Sequence, residues 1–67
     1  MQTISKAMRE TREDFGLSQE QLSEISGVAV STISAYETGK VLPGILNLVS
    51  LADALDTSID DYIGHRI

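Results

Sequence analysis

The sequence contains no cysteine, so neither a disulfide framework nor a thiolate metal site can form. It also lacks a long apolar run: no stretch approaches the roughly 20 residues of a membrane span, and the first residues show no signal-peptide pattern. The absence of thiols fits a reducing compartment. We therefore expect a soluble protein of the cytoplasm.

Side chains that could perform chemistry are few. The single histidine, His65, lies near the end, and no glycine-rich phosphate-binding pattern is present. A catalytic site needs several converging polar groups, and this chain has too few to assemble one. We expect no enzymatic activity, no cofactor and no metal, and we expect His65 to be a solvated residue of the tail.

Cations are scarce as well, with 5 lysines and arginines against 10 acidic residues and a net charge of −5. Taken alone, this balance argues against nucleic-acid binding, because phosphates are neutralised by cations. The distribution matters more. Residues 53–61 carry four aspartates and no cation, whereas residues 1–12 carry three cations against one glutamate. An ordinary solvated acidic surface would explain the aspartates equally well.

What the chain does contain is a helical pattern. A chain of 67 residues makes one small domain, which buries only about 60% of its unfolded surface and has a stability of a few kcal/mol. Apolar or semi-apolar positions recur over residues 4–15 at the spacing of one helix face, and this places Phe15 in the core. Gly16 is expected to end this first helix in a left-handed conformation.

The stretch 17–40 predicts two short helices joined by a tight turn. Ser18 and Gln21 have the spacing of a capping box, and Leu17 with Leu22 can form a hydrophobic staple around it. Gly27 ends the first helix, and the second runs from about 29 to 37. The apolar side chains expected to hold the pair together are Leu22, Ile25, Val28, Ile33 and Tyr36.

The second helix of this pair lacks a side-chain cap. Ala29 stands at the cap position, which costs roughly 1 kcal/mol compared with Ser or Thr. Most of its other residues are poor or moderate helix formers. Packing by Val28, Ile33 and Tyr36 must therefore hold the helix, and its outer face is available for another purpose.

Two more helices are predicted after Pro43. The first starts at a Gly44 cap, and its core stripe consists of Ile45, Leu48, Leu51, Ala52 and Leu55. The second starts at a Ser58 cap and ends at Gly64, with Ile59, Tyr62 and Ile63 facing inward. The whole pattern is that of an all-α domain of five short helices.

Residues spread over nearly the whole chain carry a family resemblance. They are Arg12, Gly16-Leu17-Ser18-Gln19, Leu22, Gly27-Val28, Ile33-Ser34, Tyr36-Glu37, Gly39-Lys40, Pro43 and Leu51-Ala52-x-Ala54-Leu55. Together they resemble the Cro/repressor-type (XRE) family of helix-turn-helix proteins. The resemblance implies a compact, lambda-repressor-like five-helix domain with an ordered core of about 4–63. Helices 2 and 3 would form the helix-turn-helix, and helix 3 would lie in the DNA major groove.

The resemblance also implies a role for individual residues. The face expected to read bases is Val30, Ser31, Ser34 and Ala35. The residues expected to contact DNA phosphates are Arg9, Ser18, Gln19, Thr32, Thr38, Gly39 and Lys40. Arg12 and Glu37 match a partly buried ion pair that joins helix 1 to the end of helix 3.

The face expected to read bases lacks the side chains that bind bases most strongly. It carries no Arg, Lys, Asn or Gln, the side chains that form bidentate contacts worth about 1–3 kcal/mol each with bases. Ser31 and Ser34 can donate or accept a hydrogen bond at a base edge, while Val30 and Ala35 can contact a thymine methyl group. Recognition is therefore expected to depend on close fit, methyl contacts and the spacing of two subunits.

Four apolar residues, Val41, Leu42, Leu46 and Val49, lie outside a core stripe that is already complete. Either they fold under the domain's own surface, an alternative that applies to Val41 in particular, or they form an exposed patch. An exposed patch predicts a two-fold symmetric homodimer that places two recognition helices about 34 Å apart on a palindromic operator.

Two classes of function remain open from the sequence. The first is a DNA-binding transcriptional regulator, most simply a repressor, whose partner is double-stranded DNA. The second is a protein-binding helix-turn-helix module, such as an antitoxin or an assembly adaptor, with weak DNA affinity. Binding to random DNA at low salt discriminates between them.

Overall fold

The computed structural model describes residues 3–64, and this range contains five α-helices and no strand. The helices are α1 (Ile4–Asp14), α2 (Gln19–Ser26), α3 (Val30–Glu37), α4 (Ile45–Ala54) and α5 (Ile59–Ile63). The all-α, five-helix prediction is confirmed. Within residues 3–64, no helix has the length and the apolar composition of a membrane span. The prediction for His65 lies outside the described residues.

The ends of the helices follow local chemistry. The Ser18 hydroxyl accepts a hydrogen bond from the Gln21 backbone, and the Gln21 side chain accepts one from the Ser18 backbone, so the predicted capping box is present. Gly27 ends α2 with a φ of 79°, the left-handed conformation that glycine adopts without a steric penalty. The Ser58 hydroxyl caps α5 in the same way as Ser18 caps α2. Ala29, in contrast, makes no side-chain cap at α3.

The core is built from all five helices. α1 packs against α3 and α5, α2 packs against α3 and α4, and α4 packs against α5. The side chains that are fully or almost fully buried in this cluster are Met8, Leu22, Val28, Ile33, Tyr36, Leu51, Ala52, Leu55 and Tyr62. α3 is therefore held between α1 and α2, as expected of a helix with weak intrinsic stability.

Three apolar residues are not where the sequence pattern placed them. Phe15, Ile25 and Ile45 were expected in the core, and this is wrong: they are 50%, 54% and 63% exposed. Each stands at the end of a helix: Phe15 is the C-cap of α1, Ile25 lies in the last turn of α2, and Ile45 is the first residue of α4. Periodicity assigns a face but cannot tell how far the neighbouring helix extends along it.

Tyr62 is completely buried, yet its hydroxyl has no hydrogen-bond partner within residues 3–64. Burial raises the pKa of this phenol well above its ordinary value of 10.0, because the phenolate would have to be desolvated. A buried hydroxyl without a partner costs free energy, typically about 1–3 kcal/mol. Tyr36 provides a contrast, since its hydroxyl accepts a hydrogen bond of 2.7 Å from the Asn47 amide.

We expect Tyr62→Phe to raise the free energy of unfolding by about 1 kcal/mol, and Tyr36→Phe to lower it by a similar amount. The folded-state pKa of Tyr62 is the higher one, so its contribution to stability is complete below pH about 10 and falls as the pH rises further. The alkaline loss should be smaller in Tyr62→Phe. Urea unfolding followed by circular dichroism at several pH values measures both effects. A marked loss of stability in Tyr62→Phe at neutral pH would contradict this account.

Candidate nucleic-acid interface

The pair α2–α3 is held at a fixed angle by its turn. Leu22 of α2, Val28 of the turn and Ile33 of α3 are buried in the same cluster. The Val28 backbone also donates a hydrogen bond of 3.1 Å to the Ser26 hydroxyl. The turn thus has a polar anchor to α2, and the burial of Ile33 with Leu22 and Val28 holds α3 against α2.

The outward side of α3 carries the predicted base-reading residues. Ser31 is exposed, and Val30, Ser34 and Ala35 are partly exposed. All four are small, so the backbone of α3 can approach another surface closely. Because Ala29 provides no cap, the first N–H groups of α3 need acceptors from outside the helix, and they form a donor cluster at its exposed start.

Arg12 and Glu37 form the ion pair between α1 and the end of α3. Arg12 Nε donates to Glu37 Oε2 at 2.9 Å and Nη2 donates to Oε1 at 3.0 Å, while only 11% and 2% of the two side chains is exposed. The hydrogen bonds to Glu37 raise the pKa of Arg12 above its ordinary value. Arg12 Nη1 also donates to the Leu17 carbonyl at 2.7 Å. One guanidinium therefore holds the segment before α2 and the end of α3 together.

Gln19, the first residue of α2, joins this pair. Its Nε2 donates to Glu37 Oε1 at 3.0 Å. The capping box uses the backbone N–H groups of Ser18 and Gln21, and those of Gln19 and Glu20 remain available at the positive end of the helix dipole. A helix start of this kind suits an anionic oxygen. The exposed carboxylate of Glu20 opposes such binding.

The loop after α3 offers fewer donors than its sequence suggests. The Thr38 hydroxyl donates to the Ser34 carbonyl at 2.8 Å, and the backbone N–H of Thr38 goes to the same carbonyl. The backbone N–H groups of Gly39 and Lys40 donate to Tyr36 and Ala35 of α3. The ammonium group of Lys40, on an exposed residue, is therefore the group that this loop can direct to a phosphate. Arg9 on α1 and Thr32 on α3 are exposed and partly exposed, respectively.

Apolar side chains form a patch beside this loop. We call it the 41–49 patch, and it consists of Val41, Leu42, Ile45, Leu46 and Val49. Its most exposed members are Leu42 and Leu46, at 80% and 81%. Of the two alternatives that the sequence left open for Val41, Leu42, Leu46 and Val49, the structure shows the exposed patch, and Ile45 adds to it. No charged residue interrupts positions 41–52.

A cleft of about 290 Å³ opens next to the patch, between the start of α1 and the loop before α4. Its lining is formed by Thr3, Ile4, Ser5, Tyr36, Gly39, Val41, Leu42 and Pro43. Neither the cleft nor the link between Gln19 and Glu37 was predicted. Both join residues that are far apart in the chain, and no local pattern reports such contacts.

Comparison with known proteins places this arrangement among DNA-binding regulators. A family profile described as helix-turn-helix matches residues 8–62. The transcriptional repressor RstR of the cryptic phage CTXphi in Vibrio cholerae is 34% identical over 61 residues, which are 91% of this chain and 54% of that protein. The uncharacterised regulator YgzD of Bacillus subtilis is 35% identical over 58 residues, which are 87% of this chain and 88% of YgzD.

The chain spans only part of some of these relatives: about half of RstR, and 29% of the regulator y4dL of Sinorhizobium fredii. Solved structures agree with the fold. The P22 c2 repressor, in complex with a synthetic operator, has a TM-score of 0.82 at 30% identity, with 94% of both chains covered. The restriction-modification controller protein C.AhdI from Aeromonas hydrophila has a TM-score of 0.83 at 34% identity, with 88% and 89% covered.

Proposed function

This chain belongs to the helix-turn-helix family of DNA-binding transcriptional regulators, and we propose that it is a repressor that binds a palindromic DNA site as a homodimer in the cytoplasm. The family is one of regulators and not of enzymes. The observation that carries the proposal is the outward side of α3, which is small, uncapped at its start and rigidly held by α1 and α2.

In this proposal, α3 makes only weak contacts with the bases, and its packing against α1 and α2 fixes its position in the groove. Val30 and Ala35 contact thymine methyl groups, and Ser31 and Ser34 bond to base edges. Gln19 and the start of α2 contact one phosphate, and Lys40 contacts another. Arg9 and Thr32 supply the remaining one or two contacts. Each contact is modest, so a single subunit binds weakly.

A second copy supplies the missing affinity. The 41–49 patch is uncharged and exposed, and two copies of a chain with a net charge of −5 can approach each other there at the smallest electrostatic cost. With a two-fold axis through the 41–49 patch, Leu42 and Leu46 of one subunit contact the same patch, or the cleft beside it, on the other subunit. The two α3 helices then lie about one DNA turn apart, ~34 Å.

The acidic composition favours one alternative, a helix-turn-helix module that binds another protein through the same patch. Selection of binding sites from random duplex DNA, followed by a salt titration, separates the two functions. A regulator with three or four phosphate contacts per subunit should enrich a palindrome and show a log–log salt slope of about −3 per subunit. Failure to retain any duplex at low salt would favour the protein-binding function.

Lys40→Gln provides a sharper test of the interface. We expect it to weaken binding to all duplexes about equally and to reduce the salt slope by about 1 per subunit, because it removes one phosphate contact. Lys6→Gln is the matched control: it removes the same charge from an exposed lysine that is not assigned a phosphate. Equal effects of the two substitutions, measured by fluorescence anisotropy, would contradict the assignment of Lys40.

A further inference from the structure

Glu37 makes more contacts than an ion pair needs. Its Oε2 accepts from Arg12 Nε at 2.9 Å, and its Oε1 accepts from both Arg12 Nη2 and Gln19 Nε2 at 3.0 Å. The carboxylate is almost completely buried, with 2% of its side chain exposed. It belongs to the last turn of α3, whereas Gln19 is the first residue of α2. A single buried carboxylate thus joins the last turn of α3 to the first residue of α2.

The contact with Glu37 decides which end of the Gln19 amide points inward. A carboxylate only accepts hydrogen bonds, so the amide must present its nitrogen and not its oxygen. The Nε2 atom carries a second N–H, which makes no hydrogen bond within residues 3–64. With the amide held in this way, the second N–H and the backbone N–H groups of Gln19 and Glu20 supply donors at the same helix start.

Without Glu37 the Gln19 side chain could rotate, or turn its carbonyl oxygen towards an approaching phosphate and repel it. Ordering the side chain only on binding would also cost conformational entropy. The anchoring in turn depends on Arg12, which fixes the carboxylate from the other side and holds the Leu17 carbonyl just before α2. Arg12, Glu37 and Gln19 therefore form a chain that ends at the helix start assigned to a phosphate.

We propose that Glu37 is a positioning residue for DNA binding, which acts by holding the Gln19 amide with its nitrogen towards the phosphate. This inference rests on the proposed function. The change in DNA affinity that it predicts for loss of the Glu37 charge is opposite to the change expected from net charge alone. Removal of a negative charge normally strengthens binding to DNA, whereas removal of the Glu37 charge weakens it.

The test compares Glu37→Gln with Glu24→Gln, which removes the same charge from an exposed position of α2. Affinities are measured for the selected duplex, at a temperature where circular dichroism shows both variants to be folded. We expect Glu37→Gln to bind about tenfold more weakly, the value of one lost hydrogen bond to a charged group. Glu24→Gln should bind as well as the unmodified chain or slightly better.

A double-mutant cycle identifies the route of the effect. Gln19→Ala should also weaken binding about tenfold, and the double variant Gln19→Ala/Glu37→Gln should be no weaker than either single variant. Methylphosphonate substitution, which neutralises one phosphate at a time, should reveal one position that weakens the unmodified chain and has a clearly smaller effect on either single variant, in which only the backbone N–H groups still contact that phosphate. A purely structural role of Glu37 predicts multiplicative losses and an unchanged methylphosphonate profile, and this would overturn the inference.

A measurement on the free, unmodified chain covers the case in which Glu37→Gln does not fold. The side-chain NH₂ of Gln19 should be as restricted in ¹⁵N relaxation as that of Asn47, which is bonded to the Tyr36 hydroxyl. A freely rotating Gln19 amide would overturn the inference. If the unmodified chain binds no duplex at all, the proposed function fails as well. If it binds and Glu37→Gln matches Glu24→Gln, the positioning role alone fails.

Discussion

Arg12→Ala should leave much of the protein unfolded under conditions where the unmodified chain is folded. The substitution leaves the buried Glu37 carboxylate without its counter-charge, and loss of one partner of a buried pair typically costs about 3–5 kcal/mol. It also removes the donor of the Leu17 carbonyl. A domain of this size has only a few kcal/mol of stability in total, so the loss is comparable with the whole.

Urea unfolding followed by circular dichroism measures this effect. Two further variants show whether the loss of stability comes from the buried ion pair. Arg9→Ala removes an exposed arginine from the same helix and should change stability by no more than about 0.5 kcal/mol. Arg12→Met/Glu37→Leu replaces the whole pair by apolar side chains and should recover most of the loss, because no buried charge is left alone. If Arg12→Ala unfolds at the same urea concentration as Arg9→Ala, the pair is not a major source of stability.

The second large effect concerns the 41–49 patch. Leu42→Ser/Leu46→Ser should convert the proposed dimer into a monomer and weaken binding to the full palindrome by about 100-fold or more. The reason is that two linked subunits bind with a high effective concentration, which is worth about 10²–10⁴ in affinity and is lost when they separate. Binding to an isolated half-site should change little, because neither leucine lies on α3.

Sedimentation equilibrium gives the mass, and fluorescence anisotropy gives the two affinities. Ile25→Ser is the matched control, since it makes the same polar replacement at another exposed apolar residue, in α2 and outside the patch. It should alter neither the mass nor the preference for the full site. An unmodified chain that is monomeric at high concentration, both free and on DNA, would exclude the dimer.

Much of the fold could be predicted from the sequence because it depends on neighbours in the chain. The capping box of Ser18 and Gln21 involves residues three apart, and the left-handed Gly27 ends α2 by its own backbone freedom. Interactions between residues so close in the chain can be recognised from the spacing of residue types in the sequence. The buried positions in the middle of α4, Leu51 and Ala52, followed from periodicity for the same reason.

Periodicity was insufficient at helix ends. Phe15, Ile25 and Ile45 continue the apolar pattern of their helices but are not covered by a neighbour. How far one helix overlaps another depends on lengths, crossing angles and turns, and these are properties of the assembled domain. The exposure of Ile45 enlarged the patch that the sequence had suggested from Val41, Leu42, Leu46 and Val49.

The caps and the turn of the helix pair depend on residues a few positions apart, so the sequence alone determines them. The small size of the side chains on the reading face follows from their identity. The contacts that join α1, α2 and α3 around Glu37 are long-range, and only the tertiary structure determines them. Glu37 meets residues 18 and 25 positions away, Gln19 and Arg12, and only the packing of α1 against α3 and of α2 against α3 brings the three side chains to one point. A hydrogen bond acts over about 3 Å, so its existence depends on the final position of each helix and not on the order of residues.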